Sequence, residues 1–188
     1  HTVYRTPHMR GKQRFAKQSY RNCICAFDIE TTRLPEIEQS IMYLWQFAVL
    51  LDDNEIICVY GRNWNELEEL FTDIEDEHLI TMIFVHNLSY EFQFLRSHVE
   101  IKPEEVFSLK SRKILRVRAG NYQQGNLEFR CSYMQTHKSL DKFLSDSGVE
   151  NQKLKDFDYD KRRYPWTELT PKEIEYGCND VIGLLQAM

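Results

Sequence analysis

The chain is 188 residues long, 42% hydrophobic and 28% charged, with a net charge of −5. A single domain of that size buries roughly 70% of the surface its unfolded chain exposes, so a core forms without disulfide or metal staples. No apolar run approaches the ~20 residues of a membrane helix, and the opening segment lacks an apolar stretch ahead of a small-residue cleavage site, so a soluble, intracellular, non-membrane protein is expected.

Residues 1–22 carry six basic side chains, Arg5, Arg10, Lys12, Arg14, Lys17 and Arg21, and no Asp or Glu. They read as a basic N-terminal leader, either a solvated arm or a contact for phosphates, ahead of one domain over 23–188. The remaining body is acidic, which on charge alone makes it a poor nonspecific binder of nucleic acid unless bound divalent cations reverse the local sign. Cys23, Cys25, Cys58, Cys131 and Cys178 form an odd set with no Cys-x-x-Cys pair, which points to buried free thiols instead of a disulfide framework or a zinc site.

In chain order, Cys23–Phe27 is a short apolar strand ending in acids. Tyr43–Leu51 and Ile56–Tyr60 are β-rich runs around the turn signal Asp52-Asp53-Asn54, a hairpin. Asn65–Ile74 places Leu67, Leu70, Phe71 and Ile74 at helical spacing, and Ile80–Val85 reads as a buried strand reached by a crossover. Ser89–His98 is a helix, and Ile114–Arg118 and Leu127–Tyr133 pair as strands. Ser139 opens another helix. Thr170-Pro171-Lys172-Glu173 is a capping box with proline at the first helical position, opening a final helix. The sum is an α/β mixed sheet with flanking helices.

Asp28 and Glu30 lie two apart on a strand, so the pleat sends both carboxylates to one face, where they repel unless a cation sits between them. Acidic alternation on a solvent-facing strand end gives the same pattern. On the last helix, 100° per residue puts Ile174, Cys178, Val181, Leu185 and Met188 on the buried stripe, with Tyr176, Asp180 and Gly183 opposite. Asp180 is therefore expected to look into a cleft or solvent, with the Tyr176 hydroxyl one turn away to orient a water, although such a pair by itself is more often a plain surface pair. His86-Asn87 to Glu91 follows a strand where the chain turns into a helix, a place where ligands bind in open α/β sheets. Asn87 and Tyr90 offer an amide and a stacking face for an unpaired base, or a helix cap and a packing residue.

In order and spacing, Asp28-x-Glu30-Thr31, Asn87-x-x-Tyr90-Glu91 and Tyr176-x-x-x-Asp180 resemble the three exonuclease motifs of the DEDDy superfamily. They look most like those of protein-primed family B DNA polymerases of small phages and linear plasmids. The chain departs from that pattern at Glu91, where the family usually has Asp. Ser132-Tyr133 is similar to the family's Ser/Thr-Leu element that touches single-stranded DNA. Lys155-Asp156-Phe157-Asp158-Tyr159 is similar to its lysine-and-tyrosine element at the scissile region.

The resemblance implies a ribonuclease-H-like mixed sheet and a 3′→5′ exonuclease acting on single-stranded DNA, with two Mg²⁺ or Mn²⁺ held by Asp28, Glu30, Glu91 and Asp180. It implies that Tyr176 aligns the attacking water, that Lys155 neutralises developing charge, and that Thr31, His86, Asn87, Tyr90, Ser132, Tyr133 and Tyr159 contact DNA. The implied partners are a 3′ end, a polymerase domain in the same longer chain and a terminal priming protein, in the host cytoplasm if the source is a phage. Two other readings remain at this stage: an RNA exonuclease on the same scaffold, and a single-strand binding module in which Glu91 marks a weakened site.

Overall fold

The computed structural model describes residues 18–51, 54–122, 125–149, 158 and 160–188. Its centre is a seven-stranded mixed sheet in the order β3-β2-β1-β4-β7-β6-β5. The strands are β1 (Ser19–Leu34), β2 (Gln39–Leu50), β3 (Ile56–Gly61), β4 (Leu79–Val85), β5 (Val106–Lys110), β6 (Lys113–Ala119) and β7 (Leu127–Cys131). The helices are α1 (Trp64–Ile74), α2 (Leu88–Leu95), α3 (Ser132–Thr136), α4 (Leu140–Asp146) and α5 (Pro171–Ala187). This α/β mixed sheet with flanking helices is the fold class expected from the sequence.

β1 and β2 pair antiparallel over most of their length, while β1 with β4 and β4 with β7 are parallel, the latter two needing the α1 and α2 crossovers. β1 is longer than its sequence pattern. It begins inside the basic leader at Ser19, where Tyr20 bonds Glu128 and Arg21 bonds Thr81, and it continues past the acids to Leu34. Asp28 and Glu30 are thus mid-strand and not at a strand end. The final residues of the run expected as Leu127–Tyr133 turn instead into α3, and β5 and α3 were not foreseen.

Strand alternation divides the core between the two faces of the sheet. One face carries Phe27, Ile83, Val85, Phe129 and Cys131 against α1 and α2. There the rings of Phe27, Phe71 and Phe129 meet edge to face at centroid distances of 5.7–6.5 Å, a geometry contributing about 0.5–1.5 kcal/mol per pair beyond burial. The other face carries Ala26, Ala48 and Phe84 against Val181, Leu184 and Leu185 of α5. All five cysteines are free thiols, Cys25 and Cys131 buried and the other three half-buried. Among the described residues no helix is long and apolar enough to cross a membrane.

Two capping boxes fix helix starts. Asn63 accepts from the Glu66 amide ahead of α1, and Thr170 accepts from the Glu173 amide ahead of α5, with Pro171 at the first position. α5 is not oriented as its periodicity suggests. Tyr176, Gly177, Asp180, Val181, Gly183, Leu184 and Leu185 are buried, Ile174 and Cys178 are half-buried, and Met188 is 45% exposed. Gly177 is the physical reason: a Cβ there would overlap the Gln46 side-chain amide and lie 3.1 Å from Leu44 Cδ2, so the missing side chain lets the helix press its Tyr176–Asp180 side onto β2 and β1.

Candidate metal centre

Residues of the α5-covered face alternate along β1 as Ile24, Ala26, Asp28 and Glu30, so the two acids share a face because the apolar residues before them do. A register shift between Glu30 and Thr31 interrupts the β1–β2 ladder just beyond them. Such bulges re-aim side chains and increase the local twist. α5 lowers Asp180 onto this spot, and one ligand oxygen from each of Asp28, Glu30 and Asp180 lies within 4.8 Å of the others. Asp180 is only 7% exposed, so it faces a cleft in the protein and not open solvent.

Glu91 completes the group from the first turn of α2. It is 4% exposed and hydrogen-bonded to Asp28, and its Oε2 is buried without a hydrogen-bond partner among the described residues. Burial, and then the negative charge of Asp28, hold the Glu91 carboxyl well above its ordinary range. Four converging carboxylates with one buried oxygen unsatisfied suit a hard divalent cation, whose preferred ligands are oxygens. The donor set therefore fits Mg²⁺ or Mn²⁺.

The carboxylates open into a cleft of about 510 Å³ lined by Asp28, His86, Asn87, Glu91, Tyr133, Ser139, Leu140 and Asp180. Asn87 is exposed at the N-cap of α2, its side chain makes no capping bond, and it lines this cleft. Tyr133 is 41% exposed and meets the His86 ring edge to face at 5.9 Å. Ser132 is fully buried, its hydroxyl 3.1 Å from His86 Nδ1, so it orients the histidine and does not itself reach the cleft surface. The Tyr90 hydroxyl lies 2.5 Å from Thr31 Oγ1, tying α2 to the bulge. Tyr176 is 2% exposed, one turn before Asp180 on the sheet side of α5, which corrects the expectation that it points away from the buried stripe. Lys155 and Tyr159 lie outside the described residues.

Two features were missed by reading the sequence. Gln46 pairs with Asp28 in the β1–β2 register, is 0% exposed, and has both side-chain amide atoms buried without hydrogen-bond partners among the described residues. A buried unsatisfied amide costs roughly 1–3 kcal/mol, so its place beside a carboxylate cluster is a sign of use. The signal was a lone glutamine in the apolar run Met42–Leu50. On the other side of Glu30, a second cleft of about 340 Å³ is lined by Thr31, Arg33, Tyr43, Lys161, Arg162 and Arg163. Its loop is anchored by the Arg163 amide on Thr32 Oγ1 at 3.0 Å and by Lys161 and Arg163 on Glu173 at 2.7 and 2.8 Å. Burial raises Glu173 and the Lys161, Thr170 and Arg163 bonds outweigh it, leaving the carboxyl at about 2.

No family model and no curated protein sequence matches the chain. Solved structures do. The chain is similar to phi29 DNA polymerase complexed with single-stranded DNA at a TM-score of 0.68 and 15% identity, covering 87% of this chain and 30% of that one. Against the polymerase with primer-template DNA and incoming nucleotide the TM-score is 0.67 at 17% identity, covering 88% of this chain and 30% of that one. Against the post-translocation complex with primer-template DNA it is 0.62 at 18% identity, covering 86% and 30%. The chain thus spans about a third of the length of the polymerases it matches, and at this identity the likeness establishes the fold.

Proposed function

We propose that the chain is a two-metal 3′→5′ exonuclease on single-stranded DNA, the proofreading domain of a protein-primed family B DNA polymerase. The observation that carries this reading is the convergence of all three motifs: Asp28 and Glu30 from β1 and Asp180 from α5 within 4.8 Å, with Glu91 of α2 bonded to Asp28. Residues up to 152 positions apart in sequence, drawn from three separate motifs, meet at one point. The likeness to a polymerase solved with single-stranded DNA supports the substrate.

Asp28, Glu30, Glu91 and Asp180 would hold two Mg²⁺ or Mn²⁺. Bound there, the cations would activate water and stabilise charge on the leaving 3′ oxygen. The protein's own part is placement. Asn87 and Tyr133 present an amide and an aromatic face to the terminal nucleotides in the 510 Å³ cleft, and His86, held by Ser132, borders them. Tyr90 and Thr31 fix α2 against β1 so that Glu91 and Asp28 keep their relation. Tyr176 aligns the attacking water, and Lys155 and Tyr159 act at the scissile phosphate and its neighbour. The polymerase domain of a longer chain would deliver the frayed end, with a terminal protein as its primer.

The test is a 5′-labelled single-stranded DNA oligomer incubated with the chain, with and without Mn²⁺ or Mg²⁺, beside an RNA oligomer of the same sequence. A metal-dependent ladder shrinking from the DNA 3′ end is expected. An intact oligomer that still binds overturns catalysis, and preferential loss of the RNA overturns the assigned substrate.

A further inference from the structure

Charge in this molecule is divided by strand. The whole chain has a net charge of −5, yet residues 106–131 hold Lys110, Arg112, Lys113, Arg116, Arg118 and Arg130 against the single carboxylate Glu128. Those residues belong to β5, β6, β7 and their connections, the outer wing of the sheet, so the cations are gathered at one edge of an otherwise acidic body. Register decides which way they face. Phe107 pairs with Arg116, Arg116 with Arg130, Arg130 with Phe84, and Phe84 with Ala26. Paired residues share a face, and Ala26 precedes Asp28 by two positions, so Arg116 and Arg130 stand on the face that carries the carboxylates. At ~4.8 Å per strand, β6 lies roughly 14 Å from β1, a few nucleotides from the cleft.

The wing is arranged for an anion. Lys110 sits opposite Lys113 and Arg116 opposite Arg130, like-charged pairs that disfavour the ladder unless a counter-charge lies over them. Glu128 supplies that charge to Arg118 and Arg130, at 2.8 and 2.5 Å. Arg116 Nε is buried without a hydrogen-bond partner among the described residues. Aromatic surface is interleaved: Phe107 is 54% exposed beside Arg116, and Tyr20 is 45% exposed beneath the Arg130 guanidinium at 5.6 Å. Guanidinium forks match phosphate oxygens, and exposed rings stack unpaired bases.

We infer that the β5–β7 wing binds the sugar–phosphate backbone of the DNA strand upstream of the 3′ end seated at the carboxylates. This deepens the exonuclease reading and rests on it for the strand's direction. Specificity for sequence is not expected, because cations and ring faces do not read base edges.

The variant Arg112→Asn/Lys113→Gln/Arg116→Gln tests it. Arg112 has φ +61°, which asparagine tolerates, and Glu128 keeps both of its arginines. Binding would be measured by fluorescence anisotropy across salt with oligothymidylates of about four and about sixteen nucleotides. For the longer strand, affinity at low salt should fall about tenfold or more, and the log–log salt slope should shrink by roughly 0.7 for each phosphate that the variant no longer neutralises. Binding of the shorter strand should not change. An unchanged slope on the longer strand, as when the wing instead receives a carboxylate-bearing protein surface, overturns the inference. Equal weakening on both strands also overturns it, since the damage would then lie in the cleft. Metal-dependent cleavage of the shorter strand is scored separately: its absence from both proteins defeats the exonuclease reading and leaves the binding comparison intact.

Discussion

Glu91 and Glu128 are both buried carboxylates on the same sheet scaffold, 4% and 0% exposed, and their surroundings are opposite. At Glu128 burial raises the carboxyl, but the bonds from Arg118 and Arg130 more than reverse it, and Tyr20 adds a hydroxyl at 3.1 Å from both oxygens. At Glu91 burial is reinforced by the negative charge of Asp28, and Oε2 has no hydrogen-bond partner among the described residues. One site is a neutralised network holding β1, β6 and β7 together. The other sets a raised carboxyl beside a second acid with no cation among the described residues to offset it, the surroundings that the proposed metal centre would use.

The sharpest break of this comparison is Asp28→Asn or Asp180→Asn. Metal-dependent release of mononucleotides should drop to background while thermal stability holds or rises, because each substitution relieves like-charge repulsion. Retained cleavage would mean that Asp28 and Asp180 hold no catalytic cation. Glu91→Gln extends it. With a neutral, near-isosteric side chain the metal-free protein should melt as the parent does, whereas stabilisation by Mn²⁺, ~2.7 kcal/mol when the ion is at a hundredfold its dissociation constant, should largely disappear from the thermal-shift assay.

On the other side, Arg118→Leu/Arg130→Leu leaves Glu128 buried with no cation. The expected loss is about 3–5 kcal/mol, read as a lower denaturant midpoint and not rescued by Mn²⁺. Gln46→Met tests the buried amide beside Asp28. Stability should be equal or greater, since an unsatisfied polar group is removed, while cleavage should fall about 10–100-fold if Gln46 orients the cluster. Unchanged cleavage would leave Gln46 with no part in the reaction.

The smallest effect concerns Glu173, whose folded carboxyl lies at about 2 against an ordinary value of 4.5. A lowered folded value stabilises the protein above pH 4.5 and loses that contribution as pH falls from 4.5 to 2, because the unfolded state takes up the proton first. Glu173→Gln should cost ~2 kcal/mol near neutral pH, and the gap from the parent should close toward pH 2 in urea titrations. A gap that stays constant with pH would show that Glu173 acts through geometry alone.

Local signals in the sequence were sufficient for the hairpin of β2 and β3, the capping boxes' clearest case at Thr170, and the shared face of Asp28 and Glu30, because each depends on neighbours within a few residues. The motif resemblance placed the carboxylates in order. β5 was missed because Val106–Lys110 is an edge strand with only one half-buried residue, and α3 because the strand Leu127–Cys131 runs straight into a short helix secured in part by a long-range bond, the His86 carbonyl accepting from the Tyr133 amide.

The sequence by itself determined the periodicities, the helix starts and which residue types could serve a cation. Only the tertiary structure decided where those residues point. Periodicity gave α5 an apolar stripe, but close approach at Gly177 turned Tyr176 and Asp180 inward, since packing against a sheet rewards the side that can come nearest. The Glu91–Asp28 bond, the buried Gln46 beside Asp28 and the basic wing on the carboxylate face all arise from pairings between strands and helices far apart in the chain. No local pattern encodes such pairings; they follow from the register of the whole sheet.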